Sequence, residues 1–162
     1  MWDMKPGLDQ RGVIVPCPSC GTANRLAYAT LDKRTRCARC KTLLAAPAMP
    51  LEASSAAAFE AAAGASPIPL VVDFWAPWCG PCRMVAPELE QVAKAHTGEW
   101  LVVKVNTDQL TDIAARYRIV SLPTLAVLHH GRELARVAGV RPASEIERFV
   151  ADATADETRR AS

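Results

Sequence analysis

The sequence predicts an α/β protein, a mixed β-sheet flanked by helices and preceded by a small cysteine-rich module. Three observations carry that prediction. PLVVDFW (69–75) and LVVKVNT (101–107) are apolar, β-branched runs of the kind that strands covered on both faces require. A helical pattern separates them and a hairpin pattern follows, and this βαβ-then-hairpin order gives a mixed sheet. Ahead of both, two C-x-x-C pairs punctuate a stretch too short to bury a core unaided.

Taken in order, residues 1–47 form a first module, with the short apolar pieces VIV, RLAYA and TLLAA alternating with CPSC (17–20) and CARC (37–40) over about 13–45. The twelve residues MWDMKPGLDQRG that precede it fit no pattern. APAMPLEASSAAA reads as a Pro/Ala linker. Ser54 or Ser55 would cap a helix over 55–63 stopped by Gly64. After PLVVDFW comes a helix over 81–96 with Met84, Val85, Leu89, Val92 and Ala93 on its apolar face. Pro81 suits its first turn, and Pro87 should kink it. A short helix spans 109–117. TLAVLHHGRELARVAG is a hairpin turning at His130-Gly131. Ser144-Glu145-Ile146-Glu147 opens a last helix with a capping-box pattern and runs to Ala153. The second module is thus 48–153, and 154–162 is a frayed polar tail.

Composition narrows the function. Half of the 162 residues are hydrophobic and 22% are charged, as in soluble globular proteins. No apolar run reaches the roughly 18 residues of a membrane span. MWDMKPGLDQRG has no hydrophobic stretch of the kind secretory signals carry, which points to the cytoplasm. There thiols are kept reduced, and paired cysteines serve as metal ligands or redox catalysts. The first module holds eight Lys/Arg against three Asp/Glu. With metal-bound thiolates offsetting that charge and few aromatics to stack on bases, no nucleic-acid partner is expected.

WCGPC (78–82) places two thiols at i and i+3 where a strand hands over to a helix. Cys79, at the helix N-terminus, would be held as a thiolate, the attacking species. Cys82, one turn on, would attack the resulting mixed disulfide at high effective concentration and release a reduced target. The bland alternative is a pair of inert thiols or half a metal site. Asp73, inside an apolar strand, would be desolvated and exchange protons near neutrality.

VDFWAPWCGPCRM resembles the active-site segment of thioredoxins. The likeness continues through Lys104 in VKVNTD, Ile119–Thr124 in IVSLPT, Gly131 and Gly139, and covers about residues 49–153. It implies the thioredoxin fold and protein-disulfide reduction, with an NADPH-linked flavoprotein, thioredoxin reductase, recharging the oxidised pair and disulfide-containing proteins as substrates. It implies that Asp73 lies behind the cysteines and takes the proton of Cys82, with Lys104 as its charged partner. The alternative is a purely structural Asp–Lys pair. It implies a cis bond before Pro123, with the Leu122 backbone facing the cysteines, rather than an ordinary trans proline. Trp78, Gly80, Pro81, Gly139 and Val140, with Pro77, would complete the surface on which a target docks. Trp75 would support Asp73 from the core. His96, His129 and His130 are read as solvated or turn residues.

Cys17, Cys20, Cys37 and Cys40 form C-x2-C-x16-C-x2-C, a spacing that reads as a tetrahedral zinc site. Four thiolates leave no open position, so one structural Zn2+ is expected, supplying much of the module's folding energy. The alternatives are two disulfides or free thiols. Zinc module plus WCGPC resembles the zinc-containing bacterial thioredoxins, the thioredoxin 2 type, over nearly the whole chain. A monomer is expected. A rival of another class is a redox-regulated holdase whose zinc module senses oxidation. A further reading makes that module a substrate adaptor, and a thiol oxidase would need an oxidising compartment.

Overall fold

The computed structural model describes residues 5–161. The start of the first module (1–4) and the last residue of the tail lie outside the described residues. Strands β1 (Gly7–Asp9), β2 (Gly12–Pro16) and β3 (Ala23–Ala27) form an antiparallel three-stranded sheet, so the segment that fitted no pattern supplies a strand. Its first turn is local chemistry. Asp9 Oδ1 accepts the N–H groups of Arg11 and Gly12 at 2.7 and 3.0 Å, the side-chain turn to which aspartate is suited. Gly12 is required by close approach, since a Cβ there would sit 2.2 Å from the Leu26 carbonyl oxygen. A 3-10 turn (Tyr28–Thr30) leads to the two-stranded pair β4 (Thr35–Arg36) and β5 (Leu43–Leu44).

Residues 46–58 are more than a linker. They contain β6 (Leu51–Glu52), which lies parallel to β8 (Leu101–Asn106) with Leu51 opposite Val103 and Glu52 opposite Lys104. Helix α1 (Ala56–Ala65) begins where predicted, with Ser55 Oγ accepting the Ala58 N–H at 3.1 Å. It continues through Gly64 because Ala62 and Ala63 are buried, and burial outweighs the roughly 1 kcal/mol that a helical glycine costs.

The main sheet has the order β10-β9-β7-β8-β6. Strand β7 (Leu70–Trp75) runs parallel to β8 and antiparallel to β9 (Thr124–His129). Helix α2 (Gly80–Ala95) buries Val85, Leu89, Val92 and Ala93, as predicted, and Pro87 lies inside without ending it. Met84 does not join that face. One residue is about 100° of helical turn, so a helix that points Val85 inward leaves Met84 65% exposed. Helix α3 (Thr111–Arg116) carries Ile113 into the core, and β9 returns as β10 (Arg132–Ala138). The turn falls at His130-Gly131, both with positive φ (53° and 76°), as a two-residue hairpin of the type matched to strand twist demands. Helix α4 (Ala143–Ala161) is longer than predicted. TADETRRA contains no glycine or proline to stop it, and Glu157 is tied to His129. No helix among the described residues is long and apolar enough to cross a membrane.

The two faces of the main sheet carry different cores. Val71 and Val102 pack with Val85 and Leu89 of α2 and Ile146 of α4. Val72, Phe74 and Val103, on the other face, share one core with Phe59 of α1 and with Leu8, Val13 and Leu26 of the first module. The two modules therefore have a common hydrophobic core. Replacing Gly12 by alanine is expected to force β2 from β3 and lower unfolding stability by about 2 kcal/mol, read as a reduced urea midpoint. An unchanged midpoint would mean that the strands part without cost.

Candidate active site

Strand β7 ends at Trp75 and the chain reaches α2 through Ala76-Pro77-Trp78. Cys79 is the N-cap of α2, its Sγ accepting the Cys82 N–H at 3.2 Å. This is the geometry in which unpaired helix-end N–H groups favour a sulfur anion. Cys79 and Cys82 are joined by a disulfide with Cα atoms 5.3 Å apart. Gly80 opens the helix, and Pro81 occupies its first turn, where a missing N–H loses no helical bond. Arg83 reaches back to the Pro77 carbonyl at 2.8 Å, closing the loop.

Both sulfurs are buried in a small apolar cluster with Ala76, against which Trp75 and Leu122 pack. The Leu122–Pro123 bond is cis. Gly139, with φ of 97°, donates its N–H to the Pro123 carbonyl at 2.9 Å, so the hairpin end meets the proline loop. Trp78 (69% exposed), Val120 (95%) and Val140 are large apolar residues left in solvent. Trp78 Nε1 lies 3.4 Å from Asp108 Oδ1. Of the residues expected on a docking surface, Trp78 and Val140 are exposed, Leu122 packs against the cysteine pair and Gly139 meets Pro123. Val120, although IVSLPT contains it, and Asp108, for which no local signal exists, were not singled out in the sequence.

Asp73 is fully buried, and its carboxyl oxygens have no hydrogen-bond partner among the described residues. Burial pushes its acid up to about 7; Lys104 opposes that rise and Glu52 reinforces it. Lys104 is in register with Asp73 on β8, but its ammonium lies 4.6 Å above the Trp75 ring. Trp75 is half-buried, and its indole N–H donates to both Glu52 oxygens at 3.0 and 3.2 Å. Glu52 escaped sequence reading because its strand is two residues long.

The other four cysteines converge, their Sγ atoms all within 4.8 Å of one another. Cys17 and Cys40 are 3.5 Å apart, Cys20 and Cys37 3.6 Å. CPSCGT and CARCKT fold as the same knuckle. In each, the first cysteine donates its N–H to the threonine carbonyl (2.9 and 2.8 Å), and its own carbonyl receives the N–H of Gly21 or Lys41 (2.9 and 3.0 Å). Gly21 and Lys41 share the left-handed backbone (φ of 75° and 64°). Asn24 donates to Cys37 Sγ at 3.4 Å and accepts the Ala38 N–H at 3.0 Å. The Cys40 backbone N–H and then Asn24 hold the Cys37 thiol down at about 6. Tetrahedral thiolate ligands about 2.3 Å from a metal stand about 3.8 Å apart, so this donor set fits such an ion.

The histidines lie elsewhere, and two are less solvated than predicted. His96 stacks on Trp100 between Glu99 and Glu147. His129 bridges Glu157 (2.6 Å) and the Pro67 carbonyl (2.8 Å), and His130 is the turn residue foreseen.

The family model that matches is Thioredoxin, over residues 50–152. The chain belongs to the thioredoxin family. It is 49% identical over 77 residues to Thioredoxin 1 of Nostoc sp., covering 48% of this chain and 72% of that one. It is 38% identical over 92 residues to the thioredoxin of Haemophilus influenzae, covering 57% and 86%. Among solved structures, a mutant thioredoxin from Halobacterium salinarum superposes with a TM-score of 0.62 at 25% identity over 68% of this chain and 96% of that one. Chloroplastic thioredoxin z gives 0.58 at 34% identity, covering 66% and 94%. The thioredoxin fold is thus established, and the activity class is thiol–disulfide oxidoreductase.

A raised acid weakens the fold where it ionises. With its carboxyl moved from 3.8 to about 7, Asp73 leaves stability intact below about pH 4, subtracts from it progressively as pH rises from there to about 7, and adds no further loss above that. Asp73→Asn is expected to unfold at higher urea than the parent at pH 8, by at most about 4 kcal/mol, and to show no gain at pH 4. A gain independent of pH would mean that Asp73 titrates normally.

Proposed function

We propose that this thioredoxin is a cytoplasmic protein-disulfide reductase of the zinc-containing thioredoxin 2 type. Residues 48–153 do the chemistry, and Cys17, Cys20, Cys37 and Cys40 in residues 1–47 hold one structural zinc. The observation that carries the reading is Cys79 at the N-terminus of α2, accepting the Cys82 N–H, disulfide-linked to Cys82 and flanked by the cis proline loop. In the reduced form the Cys79 thiolate attacks one sulfur of a target disulfide; the other leaves with the electron pair, giving a mixed disulfide. Cys82 passes its proton to Asp73 and attacks Cys79 Sγ, expelling the second target thiolate. The target gains two electrons and the Cys79–Cys82 pair loses them. Thioredoxin reductase, drawing on NADPH, restores the dithiol.

The docking surface is read as Trp78, Gly80, Pro81, Gly139 and Val140 around the Leu122 backbone. Trp78 and Val140 supply exposed apolar area, and an extended target strand would pair with Leu122 beside Pro123. Zinc, when bound, supplies a crosslink between the two knuckles and takes no part in electron transfer. The comparisons favour the reductase over the redox-regulated holdase.

Insulin-disulfide reduction with NADPH and thioredoxin reductase tests this directly. Cys79→Ser is expected to abolish turnover. Cys82→Ser should still attack but accumulate mixed disulfide, with turnover down about 100-fold or more. Asp73→Asn should slow reduction about 10-fold or more. Metal analysis should return one zinc per chain, and chelation should lower the melting temperature. Full turnover without Cys79 would sink the mechanism, and a metal-free chain of unchanged stability would sink the structural zinc.

A further inference from the structure

The faces of the sheet put three charged side chains in one row. Leu51 and Val103 belong to the core on the α1 side, so Glu52 and Lys104 point to the α2 side. Asp73 shares that side with Val71, and Trp75 packs there against the cysteine pair. In register across the strands the row reads Glu52, Lys104, Asp73, then the neutral Leu125 of β9. Glu52 stands at its outer end on the edge strand, an exposed residue whose carboxylate is pressed against the indole. Although the residue is exposed as a whole, partial desolvation of the carboxylate against the indole raises its acid, opposed by Lys104 and by the Trp75 N–H.

Lys104 therefore stands between two carboxylates in the row. Its ammonium rests on the face of the indole whose N–H edge Glu52 holds, and the buried carboxyl of Asp73 is left without a hydrogen bond among the described residues. The charges that act on Asp73 are Lys104 from β8 and Glu52 from β6. The start of α2 contributes Cys79 and Cys82, which are neutral in the disulfide.

We propose that Glu52 is a positioning residue for the proton-transfer step. It anchors the Trp75–Lys104 stack and takes a share of the lysine charge, so that Asp73 remains basic enough to accept the Cys82 proton. The proposal rests on the reading of Asp73 as that acceptor. Without the Glu52 charge, Lys104 would act on Asp73 alone, and the aspartate would ionise at lower pH and become a weaker base.

Glu52→Gln is the informative variant, since the amide oxygen can still accept the Trp75 N–H while the charge is gone. The Asp73 carboxyl would be titrated in the oxidised full-length protein by carbon NMR. Two strand spacings separate the carboxylates, about 10 Å, and Coulomb's law in a partly wet sheet then predicts a roughly three- to tenfold fall in Asp73 proton affinity. The acid limb of insulin reduction should move down in pH by the same factor, and adding Glu52→Gln to Asp73→Asn should move nothing further. An unmoved Asp73 titration in a variant with parent circular dichroism and melting temperature would overturn the role of Glu52. Asp73→Asn with undiminished reduction would instead remove Asp73 as proton acceptor, whatever Glu52→Gln does to the titration, so the two failures are told apart. If Glu52→Gln did not fold, Glu52→Asp, which keeps the charge, should leave the titration within about twofold of the parent. A larger shift there would also count against the proposal.

Discussion

Hydrogen bonds from both edges of β7, to β8 on one side and β9 on the other, combine with apolar cover on both faces to leave that strand no freedom. A polar side chain in such a strand can neither swing to water nor be solvated where it is. Asp73 occupies that position, and its unusual proton affinity follows from the confinement. The same rigidity fixes where the chain leaves the sheet. Trp75 ends β7 beside the start of α2, so Cys79 meets the helix N-terminus with its sulfur already receiving the Cys82 N–H. The buried carboxyl and the placement of the thiol pair are consequences of one strand.

The cysteine cluster solves a different problem. Thirty-odd residues of short strands cannot bury enough surface to fold alone. Two devices compensate: the paired knuckles, which bring four thiols together, and a core continuous with α1 and the main sheet. The knuckles show how sequence departs from ideal without changing geometry. Gly21 takes the left-handed backbone freely, whereas Lys41 adopts it at some cost because the knuckle requires that turn. Asn24 breaks the near-symmetry, serving Cys37 alone.

Much of this was legible because the local signals were strong. LVVDFW could only be a strand hidden on both faces, WCGPC announced a strand-to-helix junction with paired thiols, and HHG announced a two-residue turn. What escaped was encoded in tertiary contact. Leu51–Glu52 is too short to show a period and lies in a segment whose proline and alanine read as linker. Met84 looked apolar and helical, but the facing of α2 is set by Val85 and Leu89, one residue out of phase. The end of α4 looked frayed because its anchor, His129, is 28 residues away. Glu52 was invisible for the same reason as its strand, since its partners Trp75 and Lys104 come from two others.

The first module lies against the α1 face, whereas the cysteine pair opens on the α2 side. It can still bear on the redox chemistry through β6. A two-residue edge strand has little pairing of its own, and β6 keeps its place through contacts on both flanks. Leu51 is buried in the core that Leu8 and Val13 share, Ala53 donates to the Lys104 carbonyl at 2.9 Å, and Ser54 Oγ lies 3.4 Å from the Leu8 carbonyl oxygen. Glu52 rides on that strand with its side chain on the opposite face, toward Trp75. Strand β1 of the first module thus braces, from behind the sheet, the strand whose carboxylate borders the Lys104–Asp73 row.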